Sequence, residues 1–193
     1  MIYDVRFGVR FMDINLESMK FYLSYCFLLL SSICCAQIPK AGDSIPRPAV
    51  EKFPGTWKWT SDSAELIIHL AKVTAVFPSK IKEPILVGVH SFKKNGIMLE
   101  DHLKEFSSLS PKSPGTILLM AKYDGTNPDE VDGSIQDSLK NKKEYLTLIF
   151  NNTGIPSITL YLNHMSDPGK KKEKKSVPDY TFTFPTNIVL VKQ

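Results

Sequence analysis

The sequence predicts an all-β fold: an antiparallel meander of about eight to ten strands closed into a barrel, with a β-sandwich of the same strands as the alternative. Three observations predict it. Short segments rich in β-branched, aromatic and leucine residues recur from residue 55 to the C-terminus, separated by clusters of Gly, Pro, Asn, Asp or Lys. No segment of helical length carries a convincing 3.6-residue apolar period. Finally, Asn95-Gly96 falls between two apolar runs, and both residues accept the positive φ that a two-residue hairpin turn demands.

The chain begins with two segments that lie outside that pattern. Residues 1–18 read as a mis-called upstream extension, and Met19-Lys20 reads as the start of a secretory signal over 19–36. The apolar run at 21–35 is shorter than the roughly 20 residues a spanning helix needs, and Cys34 and Ala36 place small residues ahead of Gln37. The expected mature chain is exported, starts at Gln37 and is one domain. A membrane anchor or a lipid-modified cysteine at 34 or 35 is the alternative. The net charge of +4 is unchanged by the cleavage, because Arg6, Arg10 and Lys20 leave with Asp4, Asp13 and Glu17. All three cysteines (Cys26, Cys34, Cys35) leave too, which excludes disulfides, thiol catalysis and cysteine-based zinc sites from the mature domain.

Residues 37–50, with three prolines and no periodicity, read as a flexible lead-in, and 51–193 as the barrel domain. "RPAVEKF" (47–53) can form a short helical turn that Pro54 ends. Strands are then expected in "GTWKWTS", "AELIIHLAKVTAVF", "PILVGVHSF", "IMLEDHL", "GTILLMAKY", "GSIQDSL", "KEYLTLIF", "SITLYLNHM", "YTFTF" and "NIVLVKQ". One helical turn fits "LEDHLKEFSSLS" (99–110) before Pro111. Leu146, Leu148 and Phe150 share one strand face, as do Ile158, Leu160 and Leu162, so these strands have one buried and one wet side. "ELIIHLAKV" is apolar on both faces and should be covered on both, the outer side by the lead-in.

Trp57 and Trp59 are two apart and project from one strand face, and Gly55 permits a sharp entry to that strand. Gly55-Thr56-Trp57 resembles the Gly-x-Trp opening of lipocalin-like (calycin) barrels. That likeness implies a tryptophan packed at the closed end of a barrel. Gly55 and Trp57 are then fold-specifying residues, and Trp59 is the candidate for a ligand-facing side chain. The Ala36-Gln37 junction, "FPGTWKW", "ILVGVHSFKKNGI" and "NIVLVKQ" together resemble a family of small exported flavobacterial (Bacteroidetes) proteins of unknown function. The likeness covers most of 50–193. It implies an exported β-rich domain and carries no catalytic residue across.

No catalytic, cofactor or metal residue is expected. Gly-x-Ser-x-Gly and phosphate-cradling glycine motifs are absent. The acidic pairs Glu100-Asp101 and Asp129-Glu130 lie in polar, turn-like segments, and no two of His69, His90, His102 and His164 sit at i,i+2 or i,i+4. Lys170–Lys175, within "GKKKEKK", reads as an exposed loop able to attract an anionic surface; without interleaved aromatics it does not suit nucleic acid. Asp-Ser-apolar triplets make Ser44, Ser63 and Ser138 candidate O-glycosylation positions, although Asp-Ser is also ordinary turn chemistry. Two functions follow. The protein is a non-enzymatic carrier of a small apolar ligand inside the barrel, or an interaction module that binds a protein or glycan partner through its loops. A hollow or a filled interior decides between them.

Overall fold

The computed structural model describes residues 20, 24, 25, 38–122, 127–164 and 181–193. The upstream extension, nearly all of the signal segment and Lys170–Lys175 therefore lie outside the described residues. The chain divides into two units, Met1–Ile38 and Pro39–Gln193, and the second holds the fold.

Among the described residues nine strands follow one another: β1 (Gly55–Thr60), β2 (Ala64–Val76), β3 (Lys82–Lys94), β4 (Ile97–Asp101), β5 (Ile117–Ala121), β6 (Glu130–Asp137), β7 (Lys142–Asn151), β8 (Ser157–His164) and β9 (Ile188–Lys192). Their order in the sheet is β2-β1-β9-β8-β7-β6-β5-β3-β4, and a further β2–β3 ladder closes eight of them into a ring. Every ladder is antiparallel. This is the predicted barrel, and the closure excludes the sandwich. β4 is the extra strand: it pairs with the far half of β3, whose near half pairs with β5. A hairpin thus projects beyond the ring at one end, turned at Asn95 (φ +50°) and Gly96 (φ +78°).

The two ends differ. At the closed end, a 3₁₀ turn at Pro48–Lys52 begins on a proline whose missing N–H costs nothing there. Lys52 reaches the carbonyl of Pro128 and the carboxylate of Asp129, which fastens the turn to the start of β6. Phe53 and Trp57, both fully buried, fill the opening with Phe150 set edge-on to each. Gly55 has φ +130°, and a Cβ there would meet Lys192 at 3.0 Å, so the entry to β1 requires glycine. Part of the lead-in is paired rather than free: Ile45 N–H donates to Lys82 O, Lys82 N–H to Asp43 O and Gly42 N–H to Lys80 O. Ala49 and Val50 already belong to the buried interior.

Along the ring, inward positions alternate as a pleated strand requires. Leu66, Ile68 and Leu70 of β2, Leu86 and Phe92 of β3, Leu146 and Leu148 of β7 and Ile158, Leu160 and Leu162 of β8 join one apolar cluster. The outer face of β2 is covered, but not by the lead-in. A second 3₁₀ turn (Leu103–Ser108) sets Phe106 edge-on against His69 at 5.3 Å, and Leu109 joins Ala71, Val73, Ile85 and Val87 in a smaller external cluster. The expected "YTFTF" strand also differs: Thr181–Phe184, its described part, joins no ladder. The buried Asp137 carboxylate accepts the Thr183 N–H and hydroxyl, replacing a strand partner, and Pro185 has no N–H for a ladder.

Candidate functional site

The second end of the barrel, the mouth, gathers the buried polar groups. Ile68 of β2 faces His90 of β3 in register, so His90 occupies an inward position. Glu100 of β4 faces Phe92, the next inward residue of β3. The hairpin turn therefore folds Glu100 and His102 back over His90, and His102 N–H donates to the His90 carbonyl at 3.0 Å. Phe184 covers His90 edge-on at 4.8 Å and Phe92 at 5.7 Å. The β6–β7 turn arrives from the other side: the N–H groups of Ser138 and Leu139 donate to the two oxygens of Glu100 at 3.3 and 3.2 Å.

Within this cluster His90 Nε2 lies 3.0 Å from Glu100 Oε2, and its Nδ1 lies 2.8 Å from Thr116 Oγ1. His102 Nε2 lies 3.6 Å from the same Glu100 oxygen and 3.0 Å from Ser138 Oγ. Its Nδ1 is 3.1 Å from Glu105 Oε1. His90 is wholly buried and Glu100 is 5 % exposed, whereas the His102 side chain is 22 % exposed and forms the open side. Burial alone pushes the Glu100 carboxyl up. The hydrogen bond from His90, the Leu139 N–H, the charge of a protonated His90 and the Ser138 N–H outweigh it and hold the group below the usual carboxylate range.

Sequence reasoning missed this constellation because it looked for spacing between histidines. A signal was present nonetheless. Glu100 and His102 are two apart, and Asn95-Gly96 stands midway between His90 and that pair. Of the other histidines, His69 packs on the outer face, and the His164 side chain lies outside the described residues.

Trp57 is fully buried at the closed end, and its Nε1–H donates to Phe53 O at 2.7 Å. Trp59 faces Leu66 in register and packs, half-buried, against the core near the mouth. Ser44 bridges to Lys82, Ser63 is exposed, and Ser138 takes part in the mouth network. The Asp137-Ser138 pair does form a turn, with Lys140 N–H donating to Asp137.

Trp57, Leu66, Ile68, Leu86, Leu119, Val131, Leu146, Leu148, Ile158, Leu160 and Leu190 are each 0 % accessible. A hollow large enough for a ligand would expose its lining to a water-sized sphere even when sealed from outside. The interior is therefore filled, as a small eight-stranded barrel allows. Two pockets stand out among the described residues, and both are external. A groove of about 370 Å³ runs along the mouth rim between Thr60–Glu65 and Lys93–Gly96. A pocket of about 160 Å³ lies between Pro46–Ala49 on one side and Ala121, Lys122, Asn127 and Pro128 on the other. The first is polar and open, and the second is below the roughly 300 Å³ of a typical small-molecule site.

Residues 19–193 match a family of unknown function, DUF6705. The chain belongs to that family. No curated protein and no solved structure matches it.

Proposed function

We propose that the protein is an exported, non-enzymatic interaction module that engages an anionic glycan through the mouth end of its barrel. The observation that carries this reading is the filled interior, which favours a surface-acting module over a carrier with a preformed internal pocket. The mouth is also the end where loops converge. β8 ends there, and Thr183 is bonded there to Asp137, so Lys170–Lys175 fall in sequence between two described segments of the mouth. Ile97, Met98 and Leu139, all exposed, lie on the hairpin and the β6–β7 turn of the same end. A lysine cluster attracts polyanions over about one Debye length, roughly 10 Å at 0.1 M salt. Export rests on the basic start and apolar run of residues 19–36.

Retention on an immobilised sulfated polysaccharide tests the reading. The native chain should bind at low salt and elute with added salt. A variant with Lys170, Lys171, Lys172, Lys174 and Lys175 changed to serine should elute much earlier. Equal elution of the two, or no retention of the native chain, would sink the proposal.

A further inference from the structure

We propose that the mouth cluster is a metal site, in which His90 Nε2, His102 Nε2 and Glu100 Oε2 bind one divalent first-row transition-metal ion of the Zn²⁺ type. These three donor atoms lie within 4.8 Å of one another. Metal–ligand bonds of about 2.0–2.2 Å fit a donor set packed this closely after small side-chain adjustments. Two imidazoles and one carboxylate suit zinc and its neighbours, whereas calcium and magnesium favour all-oxygen sets.

The groups behind the donors support the assignment independently. A histidine that ligates a metal through one ring nitrogen usually donates its other N–H to an oxygen, which fixes the tautomer and the ring plane. Both histidines have that arrangement here. Glu105, when ionised, can only accept, so His102 Nδ1 carries the hydrogen and its Nε2 lone pair points into the cluster. The Thr116 hydroxyl can accept from His90 Nδ1, which leaves the His90 Nε2 lone pair directed at Glu100 Oε2. Without a cation the ring takes the other tautomer, in which Nε2–H donates to Glu100 Oε2 across 3.0 Å and the Thr116 hydroxyl donates to Nδ1; metal uptake displaces the Nε2 proton and reverses the Thr116 bond. Glu100 is held in turn by the N–H groups of Ser138 and Leu139. The scaffold is rigid: β3 and β4 are laddered, and the β6–β7 turn is tied down at Asp137. The partly exposed side of His102, beside the Ser138 hydroxyl, is the entry route and the place for a further ligand such as water.

The site is independent of the glycan reading, which concerns Lys170–Lys175. Its test uses the full chain with Cys26, Cys34 and Cys35 changed to serine, so that thiolates cannot compete, treated with chelator and titrated calorimetrically with Zn²⁺. We expect one ion per chain and a higher melting temperature with Zn²⁺ than with chelator. His102→Ala, at a partly exposed position, should weaken binding by more than about 100-fold, and Glu105→Gln by about 10–100-fold. His69→Ala should leave binding unchanged. Glu105→Gln alters an exposed side chain, so it keeps the test decisive if His102→Ala folds poorly. Failure of the folded parent chain to take up micromolar Zn²⁺ would overturn the proposal. Uptake that neither His102→Ala nor Glu105→Gln weakens would overturn it equally.

Discussion

Trp57→Ala probes the closed end of the barrel, and its cost can be worked from the contacts. The indole is wholly buried, set edge-on to Phe150 at 6.3 Å, with the Lys192 ammonium 5.2 Å from its ring centre. Its N–H donates to the Phe53 carbonyl. Truncating a buried tryptophan costs about 3–5 kcal/mol through lost transfer energy and the cavity left behind. The closed strand ring resists collapse into that cavity, and the Phe53 carbonyl loses its donor, which adds to the cost by about 1 kcal/mol or more. The upper part of the range, about 5 kcal/mol, is therefore expected. For a domain of this size each 1 kcal/mol shifts the melting temperature by roughly 2–4 °C, so a fall of about 10–20 °C should follow.

Urea unfolding followed by far-UV circular dichroism measures this without relying on the deleted fluorophore. Trp57→Phe separates the two contributions. It keeps most of the apolar volume and removes the hydrogen bond, so it should cost only about 1–3 kcal/mol. A Trp57→Ala loss below about 1 kcal/mol would refute the claim that this side chain closes the barrel. A Trp57→Phe loss equal to that of Trp57→Ala would show that the hydrogen bond, not packing, dominates.

Four more substitutions have outcomes set by the same structure. A Cβ at Gly133 would lie 1.9 Å from Leu118 O and 2.8 Å from Leu119 Cα, so Gly133→Ala must part β5 from β6 and should cost about 3 kcal/mol or more in chemical denaturation. Gly96→Ala, with open space but positive φ, should cost only about 1–2 kcal/mol. Asp137→Ala removes the acceptor of the Thr183 N–H, the Thr183 hydroxyl and the Lys140 N–H; faster amide exchange at Thr183 and Lys140 than at β7 would report the released segment. Burial, then the hydrogen bond to Asp132, the Asp132 charge and that of Glu130 push the Tyr145 phenol up, with Lys122 opposing. A raised folded pKa means that stabilisation is present below the unfolded phenol value of about 10 and lost as pH rises through the folded one. The stability difference between native and Tyr145→Phe should accordingly be constant at neutral pH and shift against the native chain above pH ~10; a pH-independent difference would show that Tyr145 is not perturbed.

Local chemistry made much of the fold legible. Period-2 alternation identified the inward leucines of β7 and β8, and prolines marked the short turns beside Phe53 and before Pro111. Asn95-Gly96 gave the hairpin because positive φ is a property of those two residues themselves. Non-local choices were not legible. Alternation in "YTFTF" looks like a strand, but whether it enters a ladder depends on Asp137, distant in sequence and offering a better partner for Thr183. The apolar outer face of β2 announced a cover without saying which segment supplied it. The mouth cluster was hidden for the same reason: its donors come from β3 and the β4 end, while their supports come from the residues before β5 and after β6.

The contrast between the two ends bears on where function resides. The closed end uses Phe53, Trp57 and Phe150, side chains that fill an eight-stranded barrel without burying charge. On the inner face of β3, apolar Leu86 and Phe92 flank Gly88 and His90, and His90 is paired with the buried Glu100. Removing an imidazole and a carboxylate from water costs several kcal/mol, and replacing such a pair with apolar residues of similar volume is often neutral or stabilising. The fold had apolar solutions available, as its other end demonstrates. Stability alone therefore gives no reason for His90, Glu100 and His102 to converge, nor for Thr116 and Glu105 to orient the two rings. A role in holding a ligand at the mouth does give one.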